Sequence, residues 1–158
     1  MLLNGMKQED KELLLRDLCA RLSYGVKCKI SYNSDVINDV DGTLYGIDKD
    51  GFLMFDEIGG DYREFLCKPY LFPLSSITEE QKKEYYSLAD DVTIKPGQAC
   101  CLGIKIHCIK LGISDNPHEE VWDYINLDAL DWLNKNHFDY RGLIPMGLAN
   151  DATGLKIY

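Results

Sequence analysis

Val26-Lys27-Cys28-Lys29-Ile30-Ser31-Tyr32 alternates apolar and polar side chains without a break, and this stretch decides the fold. A side-chain period of two places one face on a core and the other in water, which is a half-buried β-strand. The neighbouring segments extend the pattern. Thr43-Leu44-Tyr45-Gly46-Ile47 reads as a second strand and Asp48-Lys49-Asp50-Gly51 as a hairpin turn, with glycine where positive φ is needed. Phe52-Leu53-Met54-Phe55 is apolar at every position and predicts a central or covered strand. Glu64 to Leu74 is extended, but Pro69 and Pro73 lack ladder donors and place it at an edge or an irregular crossing.

Ahead of this meander, Gln8 to Leu22 carries Leu14, Leu15, Leu18 and Leu22 at helical spacing. Acidic residues come early and Arg16 and Arg21 late, as the helix dipole favours, and Gly25 can supply a left-handed stop. Beyond the meander, Thr78 and Gln81 form a capping-box pair that opens a polar surface helix running through Leu88. Cys101 to Ile113 is a second strand region. Its apolar parity changes at Cys108-Ile109, which requires a bulge there. Asn126 caps a helix over Leu127 to Asn136 with Leu127, Leu130 and Leu133 inward. Phe138 to Ala149 reads as a short helical turn broken by Gly142 and Pro145, and Asn150 to Tyr158 as a loosely held tail.

The fold class is therefore α+β. An N-terminal helix and a small antiparallel meander of the Sm-like or SH3-like barrel type occupy 1–77. A surface helix, a strand region and closing helices occupy 78–158, the two halves forming one unit.

At 158 residues, with 46% apolar and 27% charged side chains, the chain can bury a core without metal or disulfide. Its formal charge of −9 opposes phosphate binding and anionic membrane surfaces. The longest nearly apolar run, Ile104 to Ile113, is interrupted by Lys105, His107 and Lys110, so no membrane span is expected. The opening Met1 to Met6 does not read as an export signal, and the six cysteines then read as reduced thiols in a cytoplasmic protein.

Cys100, Cys101, His107 and Cys108 are weak metal candidates. Adjacent strand residues point to opposite faces, and neither pair has the spacing that wraps a zinc ion. A cysteine nucleophile could draw on His107, His118 or His137, but thiols within strands and helices more simply serve packing. The carboxylates Asp48, Asp50, Asp56, Glu57, Glu119, Glu120 and Asp123 read as turn formers and a solvated face. No phosphate loop, dinucleotide fingerprint or His-Glu-x-x-His occurs, and no cofactor is implied.

The most distinctive cluster is aromatic: Tyr62, Phe65, Tyr70, Phe72, Tyr85 and Tyr86, interleaved with Arg63, Lys68, Lys82 and Lys83. Two readings stand side by side. Phe65 and Phe72 fill a core that the tyrosines rim, or Tyr62, Lys68, Tyr70, Tyr85 and Tyr86 form a binding surface. Lys27 and Lys29 add basic charge on the wet face of the first strand.

Lys68-Pro69-Tyr70-Leu71-Phe72-Pro73-Leu74-Ser75-Ser76-Ile77-Thr78-Glu79-Glu80 and Asp131-Trp132-Leu133-Asn134-Lys135-Asn136-His137-Phe138-Asp139-Tyr140-Arg141-Gly142-Leu143-Ile144 resemble a family of small uncharacterised proteins carried by prophages and mobile elements of gut Bacteroidetes. Leu13 to Leu22 and Tyr24-Gly25-Val26 fit the same family. The resemblance implies a phage or mobile-element origin and a cytosolic setting, and it carries no catalytic residue. With no catalytic constellation present, the leading expectation is a non-enzymatic accessory protein that binds another protein. The alternatives are a nucleic-acid-binding small barrel using Lys27, Lys29 and Lys68, and a counter-defence protein that captures a small molecule or nucleotide.

Overall fold

A computed structural model of the chain describes residues 6–32, 39–49, 52–56, 65–89 and 127–158. The chain divides into two compact units, Met1–Leu71 with Arg141–Tyr158, and Phe72–Tyr140. Within the first, α1 spans Gln8–Arg21 with Glu9 and Asp10 in its opening turn. A short 3-10 turn over Leu22–Tyr24 follows, and Gly25 ends it at φ 63°, the left-handed stop expected there. The face turned inward is Leu14, Asp17, Leu18 and Arg21, which is more polar than the leucine stripe alone suggested, though fully buried.

The strands are β1 (Lys27–Tyr32), β2 (Val40–Ile47), β3 (Leu53–Phe55), β4 (Phe65–Leu71) and β5 (Asn150–Asp151), in the sheet order β3-β2-β1-β4-β5. β1 is antiparallel to both β2 and β4, while β5 joins β4 in parallel. The helix-plus-meander expectation holds, but the barrel does not: the sheet is open, with β3 at one end and β5 at the other. The chain carries β4 to the other side of β1, so among the described strands β3 gains no partner that would close the circle.

Two strand positions differ from the sequence reading. β3 lies at the end of the sheet, and its full apolarity is explained by Leu53 and Phe55 facing inward while Met54 stays exposed. β4 runs inside the sheet despite Pro69. β5 begins alongside Tyr70, so among the described strands Pro69 is paired on the β1 side alone, opposite Cys28. The tail is also held. Asn150 and Asp151 pair with Tyr70 and Leu71, Ala152 N–H donates to the Leu71 carbonyl, and the Tyr158 hydroxyl donates to the Tyr70 carbonyl while accepting from Lys27 N–H.

The core of this unit is aliphatic and thiol-rich: Leu14, Leu18, Val26, Cys28, Ile30, Leu44, Leu53, Phe55, Cys67 and Leu71, joined by Leu143, Leu148 and Ala149 from the closing segment. Gly42 permits its tightest contact. A Cβ there would lie 3.0 Å from Ile30 Cδ1 and 3.3 Å from Phe55 Cβ, closer than packed carbons normally approach. The hairpin after β2 closes as the sequence suggests, with Asp48 N–H bonded to the Phe52 carbonyl and Phe52 N–H to the Asp48 carboxylate.

In the second unit, α2 spans Glu79–Ala89 and α3 spans Leu127–Lys135. Thr78 and Gln81 form the reciprocal capping box: each side chain accepts the other's backbone N–H, at 3.2 and 2.9 Å. Along α3 the buried stripe is Ala129, Trp132 and Leu133, whereas Leu127, expected inside, is 72% exposed. Six residues separate Leu127 from Leu133, which leaves it about a third of a turn away from the stripe. The helix ends with His137 at φ 57°, Phe138 N–H reaching back to Leu133 O and His137 N–H to Asn134 O. Phe72 then pairs with Phe138 in a parallel bridge. The predicted strand region Cys101 to Ile113, with its bulge, and the Asn126 cap lie outside the described residues.

Candidate functional site

In the antiparallel ladders, directly paired residues share a face. Cys28, Ile30, Gly42, Leu44 and Cys67 face the core, so Lys27, Lys29, Asp41, Thr43, Leu66 and Lys68 fall on the other side of the sheet. The register sets Lys29 opposite Lys68, Ser31 opposite Leu66 and Lys27 opposite Thr43. Three basic residues named from sequence thus meet on one face. The same face carries large apolar groups that the sequence reading did not single out: Tyr45 at 58% exposure, Leu66 at 41% and Met54 at 38%. The signal available for them was strand parity. Tyr45 shares the parity of Thr43, and Met54 is the odd member between two buried neighbours.

Electrostatics on this face are mixed. Lys29 Nζ lies 2.8 Å from Asp39, which also accepts the Ser31 hydroxyl at 2.6 Å. Those two hydrogen bonds hold the Asp39 carboxyl below its ordinary range, and the same Asp39 bond raises Lys29. Tyr70 reaches from β4 across β1 and donates its hydroxyl to Asp41 at 2.7 Å. Burial first, and then the Asp41 bond, push its phenol up to about 12. Lys27 and Lys68 have no ion-pair partner among the described residues.

The other site candidates go elsewhere. Tyr85 is buried in the second unit and Tyr86 is half-buried beside it, their rings meeting edge-on at 5.6 Å. Tyr85 also packs on Trp132, and Trp132 stacks on Phe138 at 5.6 Å. These rings, with Phe72 and Tyr140, pack with Leu74, Ile77, Ala129 and Leu133 in the core cluster described for that unit. Tyr62 and the metal candidates Cys100, Cys101, His107 and Cys108 lie outside the described residues. Among the described residues, no group of three or more His, Cys, Asp or Glu is placed to hold a metal ion, and no helix is long and apolar enough to cross a membrane.

The first unit also contains a buried charged cluster that the sequence reading passed over. Asp17 accepts Arg21 Nε at 2.8 Å and Nη2 at 3.0 Å, and Arg141 Nε at 3.1 Å. Asp17 and Arg21 are fully buried, and Arg141 is 20% exposed. Their sequence signal is the spacing 14, 17, 18, 21, which places an Asp and an Arg one turn apart on the helix's buried face. Near them, Cys28 hydrogen-bonds with Cys67. Burial, and then this bond, push the Cys28 thiol well up, which keeps it protonated and unreactive.

Fold and face together define an α+β chain with an open mixed sheet whose outer side is charged and partly apolar. No family model matches the chain, and no curated protein or solved structure does either.

Proposed function

We propose that the chain is a non-enzymatic protein-binding module that docks its partner on the outer face of the sheet. One observation carries this reading. The aromatic cluster of the second unit is used internally as core, while the sheet leaves Tyr45, Met54 and Leu66 in solvent beside Lys27, Lys29 and Lys68. Exposed apolar groups ringed by charge are the composition of a contact surface, with tyrosine and methionine favoured at its centre. In the setting that the family resemblance implies, such a module is an accessory protein of a prophage or mobile element acting in the host cytosol.

The test places a photo-crosslinking phenylalanine at Tyr45 and, as a control, at exposed Lys83 on α2. After irradiation in host lysate, a discrete protein adduct forms from position 45 and not from 83. Absence of an adduct at 45 overturns the reading. The lysine row also favours a second reading, single-stranded nucleic acid, against which stand the net charge of −9 and the carboxylates of Asp39 and Asp41 on the same face.

A further inference from the structure

We infer that the partner docks through an extended acidic segment with interspersed apolar side chains, laid along the Lys27, Lys29 and Lys68 row between Tyr45, Met54 and Leu66. The inference rests on the protein-binding reading above and names the chemistry of its partner.

The first argument is an unfavourable pairing. Lys29 and Lys68 are in-register neighbours, and like charges directly opposite each other on a sheet destabilise it. Asp39 and the in-register Asp41 offset Lys29, whereas among the described residues no carboxylate lies within ion-pair distance of Lys68 or Lys27. A local choice that works against the fold, with no compensating gain among the described residues, points to a functional position. An external anion supplies the missing gain.

The second argument is charge complementarity within an acidic protein. Of the chain's positive groups, Arg21 and Arg141 are committed to Asp17, and Lys82 to Glu79. The outer sheet face sets Lys27, Lys29 and Lys68 against Asp39 and Asp41, which leaves it on balance basic in a chain of net charge −9. The third argument is spacing. Lys27 and Lys29 stand about 7 Å apart along the strand, the distance at which an extended chain repeats its side chains on one side. Leu66 on β4 stands opposite Ser31, and Tyr45 on β2 lies two residues beyond Thr43, the partner of Lys27. Each is therefore a diagonal neighbour of the lysine row at about 7–8 Å, within reach of long apolar side chains.

A polynucleotide fits the same face less well. It needs a row of stacking rings to hold successive bases. Here Tyr45 is the exposed ring that the described strands offer, and its neighbours Met54 and Leu66 are aliphatic.

The experiment titrates the full chain with three labelled probes: a ten-residue peptide alternating Glu with Leu and Val, the same peptide with Lys for Glu, and a ten-nucleotide oligo-dT. The Glu peptide is expected to bind, shifting the backbone amide resonances of 27–31 and 66–68 and weakening as salt rises. Lys68→Glu is expected to weaken it about tenfold, by removing one attraction and adding one repulsion. The same substitution places Glu opposite Lys29, so its thermal midpoint holds or rises. Lower affinity with undiminished stability is the signature of a binding residue, and a purely structural lysine would not give it.

Equal binding of the Lys peptide, tighter binding of oligo-dT, or indifference to Lys68→Glu each overturns the inference. A Tyr45 adduct that forms equally at low and high salt, together with no binding of the Glu peptide, overturns it while leaving the protein-binding reading intact. Loss of the Tyr45 adduct removes the reading and the inference together.

Discussion

The two units solve the same problem with different materials. The first buries aliphatic side chains and thiols between α1 and a sheet, and it admits one charged cluster, Asp17 with Arg21 and Arg141. The second is organised around rings: Tyr85, Trp132, Phe138 and Tyr140, with Phe72 and Tyr86 packed against them. Strands with a period of two can be filled by small branched residues because the pleat repeats. The helices described in the second unit are short, 11 and 9 residues, and large rings cover their inward faces with few side chains. One core therefore depends on a single correct charge balance, and the other on a few large contacts.

The sharpest way to break the first core is to unbalance its charges. Asp17→Ala leaves the buried Arg21 guanidinium without its carboxylate and is expected to cost about 3–5 kcal/mol. Denaturant unfolding, with hydrogen exchange of the β1 and β4 amides, reads the loss. Arg141→Ala, whose side chain water can reach, is expected to cost about 1 kcal/mol or less. Equal losses from the two substitutions would mean that burial is not what makes Asp17 critical.

The second core should fail more gradually. Trp132→Leu retains apolar bulk but removes the ring pairs with Tyr85 and Phe138, at about 0.5–1.5 kcal/mol each, a loss of about 1–3 kcal/mol. Faster exchange of the α3 amides with unchanged β1 protection would confine the effect to the second unit. An equal rise in β1 exchange would contradict that separation.

The smallest effect is a change of slope with pH. Tyr70 holds its proton to about 12 in the folded chain, whereas an unfolded tyrosine releases it near 10. The contribution is complete below pH 10 and is lost as pH rises toward 12. Urea midpoints collected from pH 9 to 11.5 should fall less steeply for Tyr70→Phe than for the parent. Identical slopes would show that the folded protein does not retain this proton.

What could be read in advance followed the same division. Alternation from Val26 to Tyr32, the glycine stop at Gly25 and the Thr78–Gln81 box are local signals, and each appears where the sequence places it. The errors came where a distant segment decides. Pro69 looked like an edge signal because the short β5 that flanks the strand arrives from Asn150, far along the chain. Leu127 looked buried because counting leucines ignores the ring of Trp132, which fixes the true inward face of α3. Arg21 suited the helix dipole in sequence, yet its role is set partly by Arg141, which binds the same carboxylate. Of the candidate site, the lysine parity was legible. Tyr45 and Met54 carried the same parity signal, but only the register shows which strands bring them and Leu66 beside the lysines.

The first unit is discontinuous in sequence, and this sets an order for its birth on the ribosome. Its helix and first four strands are synthesised before Leu143, Leu148 and Ala149, and residues 72 to 140 must emerge in between. During that interval the nascent sheet lacks part of its apolar cover and has neither β5 nor the Tyr158 hydroxyl that bridges β1 and β4. Completion of the sheet therefore waits until Asn150 to Tyr158 have been synthesised. Codon-dependent pauses within residues 72 to 140 would lengthen the exposure of those early strands to chaperones and proteases.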